Sequence, residues 1–367
     1  MKLFNSLTRK KEEFNSIHDG VVTMYNCGPT VYNFIHVGNA RPLVIFDTLR
    51  RYFIYKGYDV KFVVNFTDID DKLINKAKEE NITVKEVADR YIEAFKEDAQ
   101  ALNIYEYNTV HPKATDYISQ MVTFIEALEE KGAAYAVDGN VYFSIDSAKN
   151  YGKLSKKNID ELVSGARIEV NEDKRNPMDF VLWKKEKPGE PSWDSPWGKG
   201  RPGWHIECSV MAKALLGETI DIHSGGEDLQ FPHHENEIAQ SETLSGKPFA
   251  NFWLHNGMLT VDNQKMSKSL GNFFTLKEIA AEYDMEVLRF FLLSAHYRNP
   301  INFSREVMDQ TRNGLDRLYN AKKNLEFILD KDLMDNSDDD RASMEKIDGF
   351  RIQFEQSMDD DLNTADG

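Results

Sequence analysis

The chain has 367 residues, of which 41% are hydrophobic and 29% are charged, and its formal net charge is -16. At about 150 residues per domain, this length predicts two to three domains, each large enough to bury a core. No apolar stretch approaches the roughly 18 to 20 residues that cross a bilayer, and the N-terminus lacks the apolar segment of a secretory signal. We therefore exclude a membrane span and predict a cytoplasmic protein.

The net charge of -16 argues against a protein that binds polyanions non-specifically. It is unevenly distributed, because residues 331 to 367 contain twelve acidic and four basic side chains and so carry half of the excess. The only two cysteines, Cys27 and Cys208, are too far apart in sequence for the disulfide framework of a small secreted domain. Their role has to be argued from their local context.

The N-terminal part predicts a βαβ unit. A β-rich run at 21 to 27 ends at Gly28-Pro29, apolar residues at helical spacing follow at 40 to 55, and a second β-rich run occupies 60 to 66. Two strands joined by a helix predict a parallel, doubly wound sheet with its ligand site at the carboxyl ends of the strands.

The rest of the chain predicts that this sheet is interrupted. Helical patterns fill 84 to 132, and β-rich patterns return near 219 to 223 and 249 to 259. Between them, 150 to 203 is polar and rich in Gly, Pro and Trp, which predicts an insertion or surface loop with a poor core, held together by Trp183, Trp193 and Trp197. Helical patterns dominate from Leu276 onward.

Two short motifs suit phosphate chemistry. His36-Val37-Gly38-Asn39 directly precedes a predicted helix, and the N-terminus of a helix favours anions. Within this motif, Gly38 lets a ligand approach the backbone, and His36 and Asn39 supply hydrogen-bonding side chains. Lys265 and Lys268 lie three apart in a loop of small residues, where their charge would stabilise a departing pyrophosphate. Each motif alone also fits a plain loop or a solvated basic segment.

A third, dispersed cluster has the composition of a metal site. His233 and Glu237 are four residues apart, so on a helix they share a face, and with Cys27 and Cys208 they form a plausible zinc ligand set. The alternative is that both cysteines are small buried hydrophobic residues and that 233 to 237 is an exposed helix start.

Several other polar residues follow predicted strands and have two readings. Asp68, Asp70 and Asp71 fit a ligand or magnesium site, although carboxylates in this position more often cap the next helix. His223 and His255 end β-like runs, where histidines tend to face the ligand crevice, although a lone histidine is more often structural.

Together, the order and surroundings of these clusters resemble one family, the bacterial cysteinyl-tRNA synthetases, which are class I enzymes. The resemblance covers nearly the whole chain. It rests on C-G-P-T-V-Y at 27 to 32, H-V-G-N-A-R at 36 to 41, N-F-T-D-I-D-D-K at 65 to 72, N-P-M-D-F-V-L-W-K at 176 to 184, G-R-P-G-W-H-I-E-C-S at 200 to 209, D-L-Q-F-P-H-H-E-N-E-I-A-Q-S at 228 to 241 and K-M-S-K-S-L-G-N-F at 265 to 273.

The resemblance implies an α/β fold with a Rossmann-type, doubly wound parallel sheet split by a connective insertion and followed by a helical module. The implied parts are the first half of the catalytic domain (1–115), the insertion (116–200), the second half (201–258), a stem-contact region with the KMSKS-like loop (259–314) and the start of a helical domain (315–367). Because the family continues past the pattern M-D-D-D-L-N-T at 358 to 364 into an anticodon-binding domain, we expect a truncated chain.

The resemblance also implies the site residues. One zinc ion per chain would be held by Cys27, Cys208, His233 and Glu237. ATP, with Mg²⁺, would contact His36, Gly38, Asn39, Lys265, Ser267 and Lys268, of which His36, Asn39, Lys265 and Lys268 would be catalytic. The cysteine pocket would contain Thr67, Trp204, His223, Asp228 and His255. The family signature has a second histidine where this chain has Asn39, so an amide replaces an imidazole there.

The implied activity is the ATP-dependent conversion of L-cysteine to cysteinyl-adenylate and its transfer to tRNA(Cys). Zinc would select the substrate thiol, because shape alone separates cysteine from serine by only about 10- to 200-fold. No sequence feature marks a dimer interface, so a monomer is expected. Two alternatives are a mycothiol-type ligase that passes cysteine to an amino sugar, and a non-catalytic paralogue that binds zinc and cysteine.

Overall fold

The structure is a computed structural model that describes residues 1–104, 108–156, 173–266, 271–330 and 338–367. The chain opens with an antiparallel hairpin of β1 (Lys2–Asn5) and β2 (Lys10–Glu13), in which Lys2 lies opposite Glu13. Directly after β1, the backbone N–H of Ser6 donates to Trp253 O at 2.8 Å, so the hairpin packs beside the central sheet.

The central sheet has five parallel strands. They are β3 (Val21–Asn26), β4 (Asp59–Val64), β5 (Thr109–Val110), β10 (Ile220–Gly226) and β11 (Ala250–Asn256), in the order β11-β10-β3-β4-β5. Their parallel pairing confirms the predicted doubly wound sheet. The strand order reverses between β3 and β10, and this reversal opens a crevice at the carboxyl ends of the two strands.

Three helices follow β3 and β4, and side chains at their N-termini fix where they begin. Helix α1 (Val37–Tyr55) starts one turn earlier than predicted, because His36 caps it. Helix α2 (Asp71–Glu80) is capped by Asp70, whose side chain accepts from Lys72 N–H at 2.9 Å, and α3 (Val84–Ala101) follows. The capping interpretation is therefore confirmed for Asp70.

The insertion contains helix α4 (Ile118–Glu130) and a four-stranded antiparallel sheet. The strands are β6 (Ala134–Val137), β7 (Asn140–Phe143), β8 (Phe180–Lys185) and β9 (Gly200–Pro202). The prediction of a poor core is wrong for this region, since Trp183 on β8 is completely buried and its ring centroid lies 6.1 Å from that of Trp197. The tryptophans do hold the insertion together, as expected.

The second half of the sheet is joined to further helices and a small three-stranded sheet. The helices are α5 (Trp204–Leu216), α6 (His233–Ser245), α7 (Leu276–Ala280), α8 (Met285–Leu293), α9 (Arg305–Asp330) and α10 (Asp338–Asp359). The strands are β12 (Leu259–Val261), β13 (Gln264–Lys265) and β14 (Ile301–Phe303). In the ranges that the structure covers, no helix combines the length and apolarity needed to span a membrane.

Candidate active site

A cavity of about 450 Å³ opens at the carboxyl end of the sheet, where the strand order reverses. The loops after β3, β10 and β11 form its walls. Several of the predicted site residues line it together, namely Cys27, His36, Gly38, Asn39, Trp204, Asp228 and Lys265. The structure thus brings the zinc, nucleotide and amino acid predictions to one place. Ser267 and Lys268 lie outside the described residues.

His36 and Asn39 form a reciprocal cap at the start of α1. His36 Nδ1 accepts from Gly38 N–H at 3.1 Å, and Asn39 Oδ1 accepts from His36 N–H at 3.3 Å. In a neutral imidazole, an accepting Nδ1 leaves the proton on Nε2, and an amide whose oxygen accepts leaves its NH₂ group as the donor. This arrangement equips the helix N-terminus with two side-chain donors in the wall of the cavity.

The two phosphate motifs meet in space. A Cβ added at Gly38 would lie 3.0 Å from the His36 ring and 3.3 Å from Met266 Cε, so the start of α1 lies close to the segment that contains Lys265. Beyond the undescribed residues 267–270, Val37 N–H donates to Phe274 O at 3.1 Å, and the His36 ring centroid lies 4.9 Å from that of Phe273. The described residues on either side of 267–270 therefore lie close to the first motif, and those on the C-terminal side are hydrogen-bonded to it.

The predicted metal ligands converge beside this cavity, where Cys27 lines the wall and the other three ligands are buried. Cys27 Sγ lies 3.6 Å from Cys208 Sγ and 3.4 Å from Glu237 Oε1. His233 Nε2 lies 3.5 Å from Cys208 Sγ and 3.1 Å from Glu237 Oε1. All four donor atoms lie within 4.8 Å of one another. The loop directly after β3, helix α5 and helix α6, which are far apart in sequence, thus contribute to one cluster.

These distances fit a tetrahedral zinc ion. Zinc bonds of about 2.3 Å to sulfur and about 2.0 to 2.2 Å to nitrogen or oxygen give tetrahedron edges of about 3.8 Å between sulfurs, about 3.5 Å between sulfur and nitrogen, and about 3.3 Å between nitrogen and oxygen. The corresponding observed separations are 3.6, 3.5 and 3.1 Å. A donor set with two thiols, an imidazole and a carboxylate also has the chemistry that zinc prefers.

Burial controls the protonation of the ligands in the metal-free protein. It raises the pKa of the Cys27 thiol well above its usual range, and the neighbouring Cys208 and Glu237 raise it further. Burial also raises the pKa of the Cys208 thiol. In contrast, burial lowers the pKa of His233 well below its usual value. Two neutral thiols and a neutral imidazole therefore face Glu237 when no cation is present.

A second donor set shares two of these residues. It combines Cys27 and Glu237 with His223 and His234. However, His223 Nε2 already lies 2.8 Å from Glu237 Oε2, and His234 Nδ1 lies 2.8 Å from His255 Nε2. The first set has two soft thiol ligands where the second has one, and its His233 Nε2 lies 3.1 Å from Glu237 Oε1, so it fits zinc better.

The predicted cysteine-pocket residues fall into two groups, those that line the cavity and those that are buried away from it. Trp204 and Asp228 line the cavity, and the Trp204 ring stacks on His233 with a centroid separation of 4.1 Å. Thr67, His223 and His255 are buried instead and are not among the residues that line the cavity. Thr67 Oγ1 donates to Glu207 Oε2 at 2.8 Å, and His255 contacts Ser6 as well as His234.

Comparison with known proteins places this site in a family. A family model described as "tRNA synthetases class I (C) catalytic domain" matches residues 13–313. A cysteine--tRNA ligase of Finegoldia magna is 65% identical over 367 residues, which cover 100% of this chain and 78% of that protein. A cysteine--tRNA ligase of Clostridioides difficile is 59% identical over 368 aligned positions, which cover 100% and 79%.

The chain belongs to the class I cysteine--tRNA ligases.

A solved structure of a related family shares the fold. A Mycobacterium tuberculosis methionyl-tRNA synthetase in complex with methionyl-adenylate matches with a TM-score of 0.70 and 16% identity, over 94% of this chain and 80% of that chain. At this identity the likeness concerns the fold alone. It agrees with the Rossmann-type sheet that the resemblance to cysteine--tRNA ligases implied.

Sequence reasoning missed several residues around the ligands of this cysteine--tRNA ligase chain. His205 Nδ1 lies 3.0 Å from His233 Nδ1, and the Glu235 carboxylate accepts backbone N–H groups from the insertion. The alternative of an exposed helix start at 233 to 237 is wrong, because every residue from 233 to 241 on α6 is buried. The available signal for this site was the run of polar and titratable residues H-H-E-N-E at 233 to 237. Because this segment has no apolar face, the usual hydrophobic pattern could not show that the helix is buried.

Proposed function

We propose that the chain activates L-cysteine with ATP to form cysteinyl-adenylate and transfers the cysteinyl group to tRNA(Cys). The observation that carries this proposal is the meeting of the phosphate motifs and the ligand cluster in one cavity. The identity of 65% to a protein named cysteine--tRNA ligase supports the choice of amino acid and acceptor.

The amino acid would bind beside Cys27 and Trp204. Asp228 lines this part of the cavity and offers a carboxylate to the substrate ammonium group. Trp204 covers His233 and limits the space around the substrate side chain. A zinc ion held by Cys27, Cys208, His233 and Glu237 would bind the thiol of cysteine far more strongly than the hydroxyl of serine, and so supply the selectivity.

ATP, together with Mg²⁺, would bind at the start of α1. The donors on His36 and Asn39 face the cavity, and the α1 N-terminus favours the phosphates. Lys265 enters the same cavity from β13, where its charge would stabilise the departing pyrophosphate. Ser267 and Lys268, which belong to the same motif, are assigned to ATP from the sequence resemblance.

The first step would be an in-line attack by the substrate carboxylate on the α-phosphorus of ATP. A bond forms between the carboxylate oxygen and phosphorus, and the bond to the bridging oxygen of pyrophosphate breaks. The carboxylate is already a nucleophile at neutral pH, so no general base is needed and positioning accounts for most of the rate. The terminal ribose hydroxyl of tRNA(Cys) would then displace AMP from the adenylate.

The decisive experiment is the exchange of labelled pyrophosphate into ATP in the presence of cysteine. We expect exchange that depends on cysteine and is lost when zinc is removed by a chelator. The absence of exchange from a zinc-loaded chain would favour a non-catalytic protein that binds zinc and cysteine.

The acceptor is tested separately. Transfer of labelled cysteine to tRNA(Cys) is expected, whereas transfer only to an amino sugar would contradict the assignment.

A further inference from the structure

Asp361 lies in a tight turn that follows α10, within the pattern M-D-D-D-L-N-T at 358 to 364. Asp361 and the next residue, Leu362, have φ angles of 67° and 51°, in the left-handed region that side chains other than glycine disfavour. Both side chains are nonetheless buried, and Thr364 Oγ1 donates to Leu293 O at 2.7 Å. Specific contacts therefore hold this turn in place.

The Asp361 carboxylate receives donors from two distant segments. Its Oδ1 accepts from Phe4 N–H on β1 at 2.7 Å and from the Tyr297 hydroxyl at 2.8 Å, and its Oδ2 accepts from Arg298 Nε at 2.8 Å. A buried carboxylate with three donors, one of them charged, is strongly fixed. One side chain thus joins the turn after α10 to the N-terminal hairpin and to the loop after α8.

The loop after α8, which Asp361 holds, packs behind the part of the cavity wall that contains Gly257. Gly257, which lines the cavity, donates its N–H to Tyr297 O at 2.9 Å. A Cβ at Gly257 would lie only 2.6 Å from Arg298 O and 2.7 Å from Asn299 O, so the two backbones are in direct contact. The buried Arg41 of α1 donates to Gly257 O at 2.6 Å and to Asn299 O at 2.5 Å, so it joins the same two segments from the side of α1.

The two preceding aspartates are attached differently. Asp360 forms an ion pair with Lys11 at 2.7 Å, but its side chain is 57% exposed, and such surface pairs contribute little. Asp359 contacts Tyr52 and Lys56 at the end of α1. Only Asp361, among the three, reaches the loop behind Gly257, and Asp360 is therefore a matched control.

We infer that Asp361 is a positioning residue for the nucleotide side of the cavity, acting through Tyr297 and Arg298 on Gly257. The wall concerned continues from Gly257 through β12 and β13 to Lys265, which is the side assigned to ATP. The inference rests on the proposed function, because that function places ATP against this wall. It assigns a role to Asp361, which the composition showed only as part of the excess negative charge at 331 to 367.

The test compares Asp361→Asn and Tyr297→Phe with Asp360→Asn and the unmodified chain. KM for ATP and for cysteine, and kcat, are measured by pyrophosphate exchange well below the thermal midpoint of each variant. We expect KM for ATP to rise at least about fivefold in Asp361→Asn and in Tyr297→Phe, with a smaller change in KM for cysteine and none in Asp360→Asn. Substitution of a residue that only stabilised the fold would lower the thermal midpoint without raising KM for ATP more than KM for cysteine.

An unchanged KM for ATP in folded Asp361→Asn would overturn the inference. If Asp361→Asn does not fold, Tyr297→Phe decides, because it removes one hydroxyl and keeps the buried ring. Absence of exchange in the unmodified chain would contradict the proposed function instead. In that event, calorimetric Kd values for ATP on the same four proteins decide the inference, and equal values would overturn it.

Discussion

His223 Nε2 lies 2.8 Å from one oxygen of the Glu237 carboxylate, and the other oxygen of that carboxylate faces Cys27 and His233. Both side chains are completely buried, so solvent cannot replace this contact. His223 therefore fixes the direction in which Glu237 presents its free oxygen to the ligand cluster.

His223→Asn is expected to weaken zinc binding by about 10- to 100-fold without removing a ligand. The shorter amide does not reach Glu237, which can then rotate away from the cluster. The affinity is measured by competition with a chromophoric chelator. His18→Asn, at an exposed histidine far from the cluster, serves as the control, and equal zinc affinity in the two variants would contradict the role of His223.

Zinc binding should release two protons in the neutral pH range. The thiols of Cys27 and Cys208 have raised pKa values and are protonated without metal, while His233 has a lowered pKa and has no proton to lose. Raising the pH removes the competing protons, so the apparent affinity should rise about 100-fold per pH unit below the thiol pKa values. Calorimetry in buffers of different ionisation enthalpy counts the protons. Binding without proton release would exclude the thiols as ligands.

Asn39→Asp is expected to slow pyrophosphate exchange by about 100-fold. Aspartate keeps the oxygen that accepts from His36 N–H, so α1 stays capped, but it replaces the amide donor by a negative charge beside the phosphates. The thermal midpoint should therefore stay close to that of the unmodified chain. An unchanged exchange rate would show that the Asn39 side chain does not contact ATP.

Glu235→Gln should lower the free energy of unfolding by about 2 kcal/mol. The Glu235 carboxylate accepts the backbone N–H groups of Gly152, Leu154 and Ser155, which fastens the insertion to α6, and an amide would turn an NH₂ group toward these donors. Urea unfolding measures the change. Glu242→Gln, on the same helix but less buried, is the control and should cost less than half as much.

The parallel sheet and the approach of His233 to Glu237 could be predicted because local patterns determine them, whereas the sequence joined Cys27 and Cys208 to this pair only by their residue type and by the family resemblance. The β-rich run predicted at 21 to 27 ends at the Gly-Pro pair, and β3 covers 21 to 26. His233 and Glu237 share a helix face at any register, so their approach follows from their spacing. The division of the chain at 115, 200, 258 and 314 stays a prediction.

The contacts that support the site could not be predicted, because they join residues far apart in sequence. The Thr67–Glu207 and His234–His255 pairs form only when β4, α5, α6 and β11 meet. Similarly, the sequence assigned 315 to 367 to the start of a helical domain with excess negative charge, and it did not predict that Asp361 is buried against β1. Composition records the charge of such a residue but not its partners.

The central claim is that a metal held by Cys27, Cys208, His233 and Glu237 selects the thiol of the substrate. The most direct measurement replaces zinc by Co²⁺ and follows the thiolate-to-cobalt absorption while L-cysteine or L-serine is added. We predict that L-cysteine increases this absorption and that L-serine leaves it unchanged. An absorption that does not respond to L-cysteine, in a chain that still catalyses cysteine-dependent exchange, would contradict the claim.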